Sequence, residues 1–356
     1  MPPTAAAGGW WRRDLKVVYL QLGSDDDVFY GKMAAFMRPA ARALGIELQT
    51  IGCNRDHDRI RREGKALIAH RAKPDVLLIP NSKGLALELV PQADAAGIRV
   101  FLVNEGLLVA EKGTLGEPGQ KHPHWLGEIV PDERAYGHSL ATYLIEEARR
   151  RGLVASDRRI HVAALTGGFN FASISRIAGL KAAATAHRDV VLGKPQTAEW
   201  DRSRARELTA QLLKSEPETT VIWCASDLMA LGSIDAVQSA GREPGRDILV
   251  GGVDWAPFVP EKIGDGGLTV SAGSHFMDGA WALVMVHDRE LGIEADIAHA
   301  RSRPALLDRS KLDAYRLFFD QAAWATIDFT RFSLARNAFL RSYDFGVDAV
   351  LRAAGR

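Results

Sequence analysis

Short apolar, β-branched runs alternate with longer amphipathic segments along most of the chain. The runs cover residues 17–22, 47–51, 76–79, 100–103, 161–165, 190–192, 220–224, 248–251 and 268–271. Between them, apolar positions recur at helical spacing over 31–44, 58–71, 85–96, 132–151, 175–187, 204–214, 228–240 and 276–289. Strands and helices alternating in this way predict βαβ units and parallel sheets. The strands are apolar almost throughout, as expected when helices cover both faces of a sheet. The rhythm breaks between about 106 and 159, where Gly113, Gly116, Pro118, Gly119, His122, Pro123 and His124 fall, and resumes afterwards. The fold class is therefore α/β, with two Rossmann-like lobes built on parallel sheets. From Pro304 onward the chain is rich in aromatics, among them Tyr315, Phe318, Phe319, Trp324, Phe329 and Phe332. Such a tail is too apolar for a disordered linker and is expected to pack along the lobes.

Composition narrows the functions available. The 356 residues suit two domains at ~150 residues each. Lys+Arg 45 against Asp+Glu 44 leaves a formal charge of +1. That balance argues against nucleic acid or an anionic membrane as partner and fits a carrier of neutral solutes. Two cysteines make no disulfide framework. Cys224 reads as an inert core thiol, while Cys53, near a strand end, is the candidate for exposure. No stretch approaches the ~18 apolar residues of a membrane span. The opening MPPTAAAGGWWRRD lacks a basic-then-apolar export signal.

In open α/β sheets, ligands sit beyond the carboxyl ends of the strands. Those positions hold Asp25-Asp26-Asp27-Val28-Phe29-Tyr30, Asn104-Glu105, Gly167-Gly168-Phe169-Asn170 followed by Arg176, Glu199-Trp200-Asp201, Ser226-Asp227, Asp254-Trp255 and Ser274-His275. Carboxylates and amides pair with vicinal hydroxyls, and aromatic faces pack on the C–H face of a sugar ring. A few placed polar groups among apolar walls are what a small-molecule site needs. Singly, each has a plainer explanation: Asp132, Asp201 and Asp227 can be helix N-caps, and Trp200 or Trp255 can be core. Asp25–Asp27 lack the spaced oxygens of a hard-cation loop. His122 and His124 make only a lone H-x-H. No phosphate-loop, dinucleotide or nucleophile-elbow motif occurs. An α/β enzyme is thus the weaker reading, and no metal or cofactor is expected.

Four stretches carry a family resemblance: SDDDVFYGKM, SISRIAGLKAA, CASDLMALGSIDAV with its continuation GREPGRDILVGGVDWAP, and LTVSAGSHFMDGAWAL. Together they resemble the type I periplasmic solute-binding proteins of sugar ABC transporters, in the ribose-binding-like group and its autoinducer-receptor branch. Part of the pattern is shared with effector domains of lactose-repressor-type regulators. Such a regulator needs ~50–60 residues of helix-turn-helix before the first strand, and the strand at Val17 leaves no room for it. The resemblance implies two lobes joined by a three-strand hinge, with crossings near Pro131, Ala272 and 297–304. The implied lobes are 14–131 plus 273–300, and 132–272 plus 301–356. It implies a non-enzymatic, monomeric, periplasmic protein that closes on a sugar or polyol and presents it to an ABC permease. A sensor-kinase ectodomain is the alternative partner. The missing export signal would then reflect a trimmed chain or a start placed too far downstream, with the opening residues as a mature leader.

Position by position, the resemblance assigns ligand contact to Asp27, Phe29 and Tyr30, with Asp27 where the family often has Asn. It assigns hydroxyl contacts to Asn104, Arg176 and Asp254, and a closing ring to Trp200. Ser226 stands where Asn is frequent. Trp255 follows Asp254, and His275 occupies a stretch where the family uses Gln or Arg.

Overall fold

The computed structural model describes residues 15–355. The stretch read as a mature leader, residues 1–14, lies outside the described residues. The strands are β1 (Leu15–Gln21), β2 (Ile46–Gly52), β3 (Val76–Ile79), β4 (Arg99–Val103), β5 (Trp125–Pro131), β6 (Ile160–Thr166), β7 (Val190–Leu192), β8 (Gln196–Thr197), β9 (Val221–Cys224), β10 (Leu249–Val253), β11 (Val270–Gly273), β12 (Ala300–Ser302) and β13 (Ala305–Leu307). The helices are α1 (Tyr30–Leu44), α2 (His57–Ala69), α3 (Leu85–Ala95), α4 (Val109–Leu115), α5 (Glu133–Arg151), α6 (Phe171–Thr185), α7 (Arg202–Ser215), α8 (Asp227–Ser239), α9 (Val259–Gly264), α10 (Asp278–Glu290) and α11 (Val347–Ala353).

Two sheets result. One has the order β12-β5-β4-β3-β1-β2, the other β13-β11-β10-β9-β6-β7 with β8 beside β6. All pairings are parallel except β11 with β13. The chain passes between the sheets three times: from β5 into α5, from β11 into α10, and from β12 to β13. β1, β3, β4 and β9 are buried almost end to end, which explains their unbroken apolar sequence.

β5 lies inside the stretch read above as a break. Its apolar run is broken by Gly127, which sits at φ 150 with Ile297 O where a Cβ would lie. It is broken too by buried Glu128, which accepts from Arg301 Nη2 at 2.8 Å. β8, β12 and β13 are two or three residues long, too short for a periodic signal. Cys53 is fully buried, not exposed. Burial pushes its thiol up to about 11 and that of Cys224 up to about 12, so neither is a poised thiolate.

The aromatic tail spans both lobes. Trp255, on the loop after β10, is covered by Tyr315, Phe318 and Phe319. Trp324 and Phe329 pack edge-on against Phe36 of α1, and Phe345 stacks on Trp281 of α10. Asp288 of α10 anchors the tail through Leu334 N, Ser333 Oγ and Tyr343 Oη. Lys32 of α1 lies beneath this layer. Its Nζ donates to Trp255 O at 2.6 Å and sits 4.0 Å from the Phe276 ring and 4.2 Å from that of Phe319. Desolvation pushes the Lys32 ammonium down to about 7.

Candidate functional site

A cavity of about 330 Å³ opens between the lobes at the carboxyl ends of the strands. That volume suits a single small molecule. Its first-lobe wall includes Phe29, Tyr30, Arg55, Asn104 and Glu105, and its second-lobe wall Asn170, Arg176, Trp200, Ser226 and Asp254, with His275 at a crossing. Of the ten residues assigned from sequence, the structure brings eight to one cavity.

The other two are elsewhere. Asp27 stands behind the wall: its Oδ1 accepts from Phe29 N and Tyr30 N, each at 3.0 Å. It therefore caps α1, whose own N-cap residue, Phe29, offers no side-chain acceptor. Its Oδ2 accepts from Arg55 Nε at 2.7 Å and holds that guanidinium in the wall. Trp255 is fully buried away from the cavity. Its Nε1 donates to Ser271 O at 3.0 Å, and the tail aromatics cover the ring. The sequence put Trp255 beside Asp254, but the backbone turns between them, with φ 120 at Asp254 and 56 at Trp255. Their side chains consequently diverge.

Arg176 forms the floor. Its Nε and Nη2 pair with both oxygens of Glu133, Nη1 donates to Ala225 O at 2.6 Å and Nη1 reaches Asp254 Oδ1 at 3.3 Å. Both Arg176 and Glu133 are buried. Fork-on-fork pairing of this kind fixes the guanidinium plane. His275 Nε2 lies 3.3 Å from Asp254 Oδ1 and 3.4 Å from Arg176 Nη2. The His275 ring is packed by Phe29 at 4.9 Å and Tyr136 at 4.8 Å. Glu133 escaped the sequence reading because β5, the strand it follows, lies in the stretch read as a break. Glu105 and Asn170 were visible at strand ends, but no motif singled them out.

The helix starts answer the capping question residue by residue. Asp132, Asn170 and Asp201 cap α5, α6 and α7. α8 is capped by Ser226, whose Oγ accepts from Met229 N at 3.3 Å. Asp227 is no cap: it is buried and accepts from Ala256 N and Ser271 Oγ, which fixes the loop after β10.

Two features mark the cavity as more than a gap. Asn104, Glu199, Trp200, Asp254 and Ser274 all have positive φ, at 70, 53, 63, 120 and 101. Backbone strain of that sort persists where the surroundings enforce it and gathers at ligand sites. Gly167 lies directly under the Trp200 indole, where a Cβ would come within 1.9 Å of the ring. The glycine lets the ring lie flat on the end of β6, with the Arg176 guanidinium 5.8 Å from it.

The metal-like motifs are engaged with other side chains. Asp25 pairs with Arg38, and Asp94 contacts both His122 and His124. Among the described residues, the grouping able to converge on a cation is Asp157, His161 and Glu218. It lies at the start of β6, the opposite strand end from the cavity.

The sequence model of the family described as periplasmic binding protein domain matches residues 17–292. A periplasmic sugar-binding protein from Pseudomonas fluorescens superimposes with a TM-score of 0.84 at 30% identity, over 96% of this chain and 100% of that one. The galactofuranose-binding protein YtfQ of Escherichia coli is 23% identical over 182 residues, 50% of this chain and 52% of that protein. The D-allose-binding periplasmic protein of the same organism is 29% identical over 164 residues, 46% of this chain and 50% of that protein. The chain thus spans about half the length of these curated relatives. They are binding proteins and not enzymes.

Proposed function

The chain belongs to the periplasmic binding protein family, and from that premise we propose that it captures a sugar or polyol in the interlobe cavity and delivers it to an ABC permease outside the cytoplasm. One observation carries the reading: aromatic rings from both lobes, Phe29 and Trp200, line the same cavity as the Arg176–Asp254–His275 cluster and Asn104. Rings of this kind cover the C–H faces of a pyranose or furanose, and the polar cluster meets its hydroxyl edge. Contacts from both lobes give the closed form its extra affinity, so ligand shifts the lobes toward closure. The sugars in the relatives' names support the same ligand class.

The test is a thermal-shift screen against pentoses, hexoses, hexosamines and cyclitols. At least one should raise the melting temperature of the parent, and Asp254→Asn should abolish that shift. Asn tolerates the positive φ at this position, so the variant should fold. A parent that responds to no panel member, or a variant that responds as the parent does, overturns the reading.

A further inference from the structure

The two arginines that line the cavity are already committed. Arg176 serves two carboxylates, Glu133 and Asp254, with one guanidinium. Arg55 is neutralised by Asp27. Lys83 also lines the cavity, but it makes no ion pair with Glu105. Glu105 is different. It is only 8% exposed, faces the cavity, and among the described residues no donor reaches its carboxyl group. Burial, reinforced by Glu133 and Glu111, pushes it up to about 7. Ionising a carboxyl held this way leaves two acceptor oxygens without a positive partner, which is costly unless a ligand supplies one. Asn104 and Asn170 can serve the lone pairs of neutral hydroxyls, but neither offers a positive charge to Glu105.

Resting on the sugar-binding reading, we propose that the ligand is an amino sugar whose ammonium group docks on Glu105, making Glu105 the residue that sets specificity. An ammonium carries three donors and the compensating charge. It pairs with Glu105 at the first-lobe wall while Phe29, Trp200, Arg176 and Asp254 hold the ring and its hydroxyls.

The experiment is calorimetric titration at pH 7 with D-glucosamine and D-galactosamine against D-glucose and D-galactose, on the parent and on Glu105→Gln. The parent should bind at least one hexosamine about tenfold or more tightly than its neutral counterpart. Glu105→Gln should erase that preference while melting at the same temperature or higher, since it removes an unpaired buried charge. A neutral sugar bound as tightly as its amine, or a preference that survives in Glu105→Gln, overturns the proposal and leaves the sugar-binding reading standing. Silence of the parent toward both halves of the panel overturns both.

Discussion

Gly167→Ala isolates the Trp200 wall from the rest of the site. The new methyl would lie 1.9 Å from Cε2 and 2.2 Å from Cζ2 of the indole, where ordinary contact begins at 3.4 Å. The ring must therefore withdraw by about 1.5 Å. Its backbone gives little freedom to do so, because Trp200 is held at φ 63 and the next residue, Asp201, caps α7. Overpacking of this kind costs ~1–3 kcal/mol, so the melting temperature should fall by a few degrees. A displaced ring loses its stack on the ligand, worth ~1–2 kcal/mol, so affinity should drop about 5- to 30-fold. Tryptophan fluorescence reads this directly. Trp125, Trp223, Trp255, Trp281 and Trp324 are buried in the core, leaving Trp200 as the described tryptophan that a cavity ligand can touch. Titration with the tightest sugar of the thermal-shift panel should perturb the parent emission, and Trp200→Phe should remove that signal. A Gly167→Ala protein with lowered melting temperature but affinity within about twofold of the parent would refute the assignment of Trp200 to the ligand.

Arg176→Ala should destabilise the fold by ~3–5 kcal/mol in chemical denaturation, because it strands Glu133 in the interior. Adding Glu133→Leu should recover part of that loss, and no recovery would argue against the pair. Glu105 gives a pH signature in the unliganded protein. Its folded value of about 7 stands above the ordinary 4.5, so the folded state holds the extra proton between them. Its contribution to stability is intact below about 4.5 and is lost as pH rises through about 7, by ~3 kcal/mol in total. Glu105→Gln should flatten that part of the stability profile, and an unchanged profile would contradict the burial of an unpaired carboxyl. Trp324→Ala should cost ~3–5 kcal/mol by opening a cavity between Phe36, Phe276 and the tail. A loss below ~1 kcal/mol would mean the tail is not part of the core.

Much of the molecule was legible because its sheets are covered on both faces. Continuous apolar runs marked β1, β3, β4 and β9, and the helices between them kept their periodicity. β5 was not legible: Gly127 and Glu128 belong there for reasons set by partners far along the chain, Ile297 and Arg301. At the candidate site, residues named from the strand ends and the family resemblance that line the cavity are Phe29, Tyr30, Asn104, Arg176, Trp200, Ser226, Asp254 and His275. That reading failed for Trp255, where a left-handed turn sends adjacent side chains in opposite directions, and for Asp27, which acts through the α1 N-terminus and Arg55. It also could not reach Glu133, whose role depends on α5 packing against α6. Such a role is tertiary, and no local spacing announces it.

The most direct measurement is a crystal structure of the protein grown with the tightest-binding member of the sugar panel. The ligand should lie between the lobes, flanked by Phe29 and Trp200, with polar contacts to Asp254, Asn104 and Arg176. A ligand bound at another surface, or one in the cleft touching neither ring nor the Arg176–Asp254 pair, would contradict the site described above.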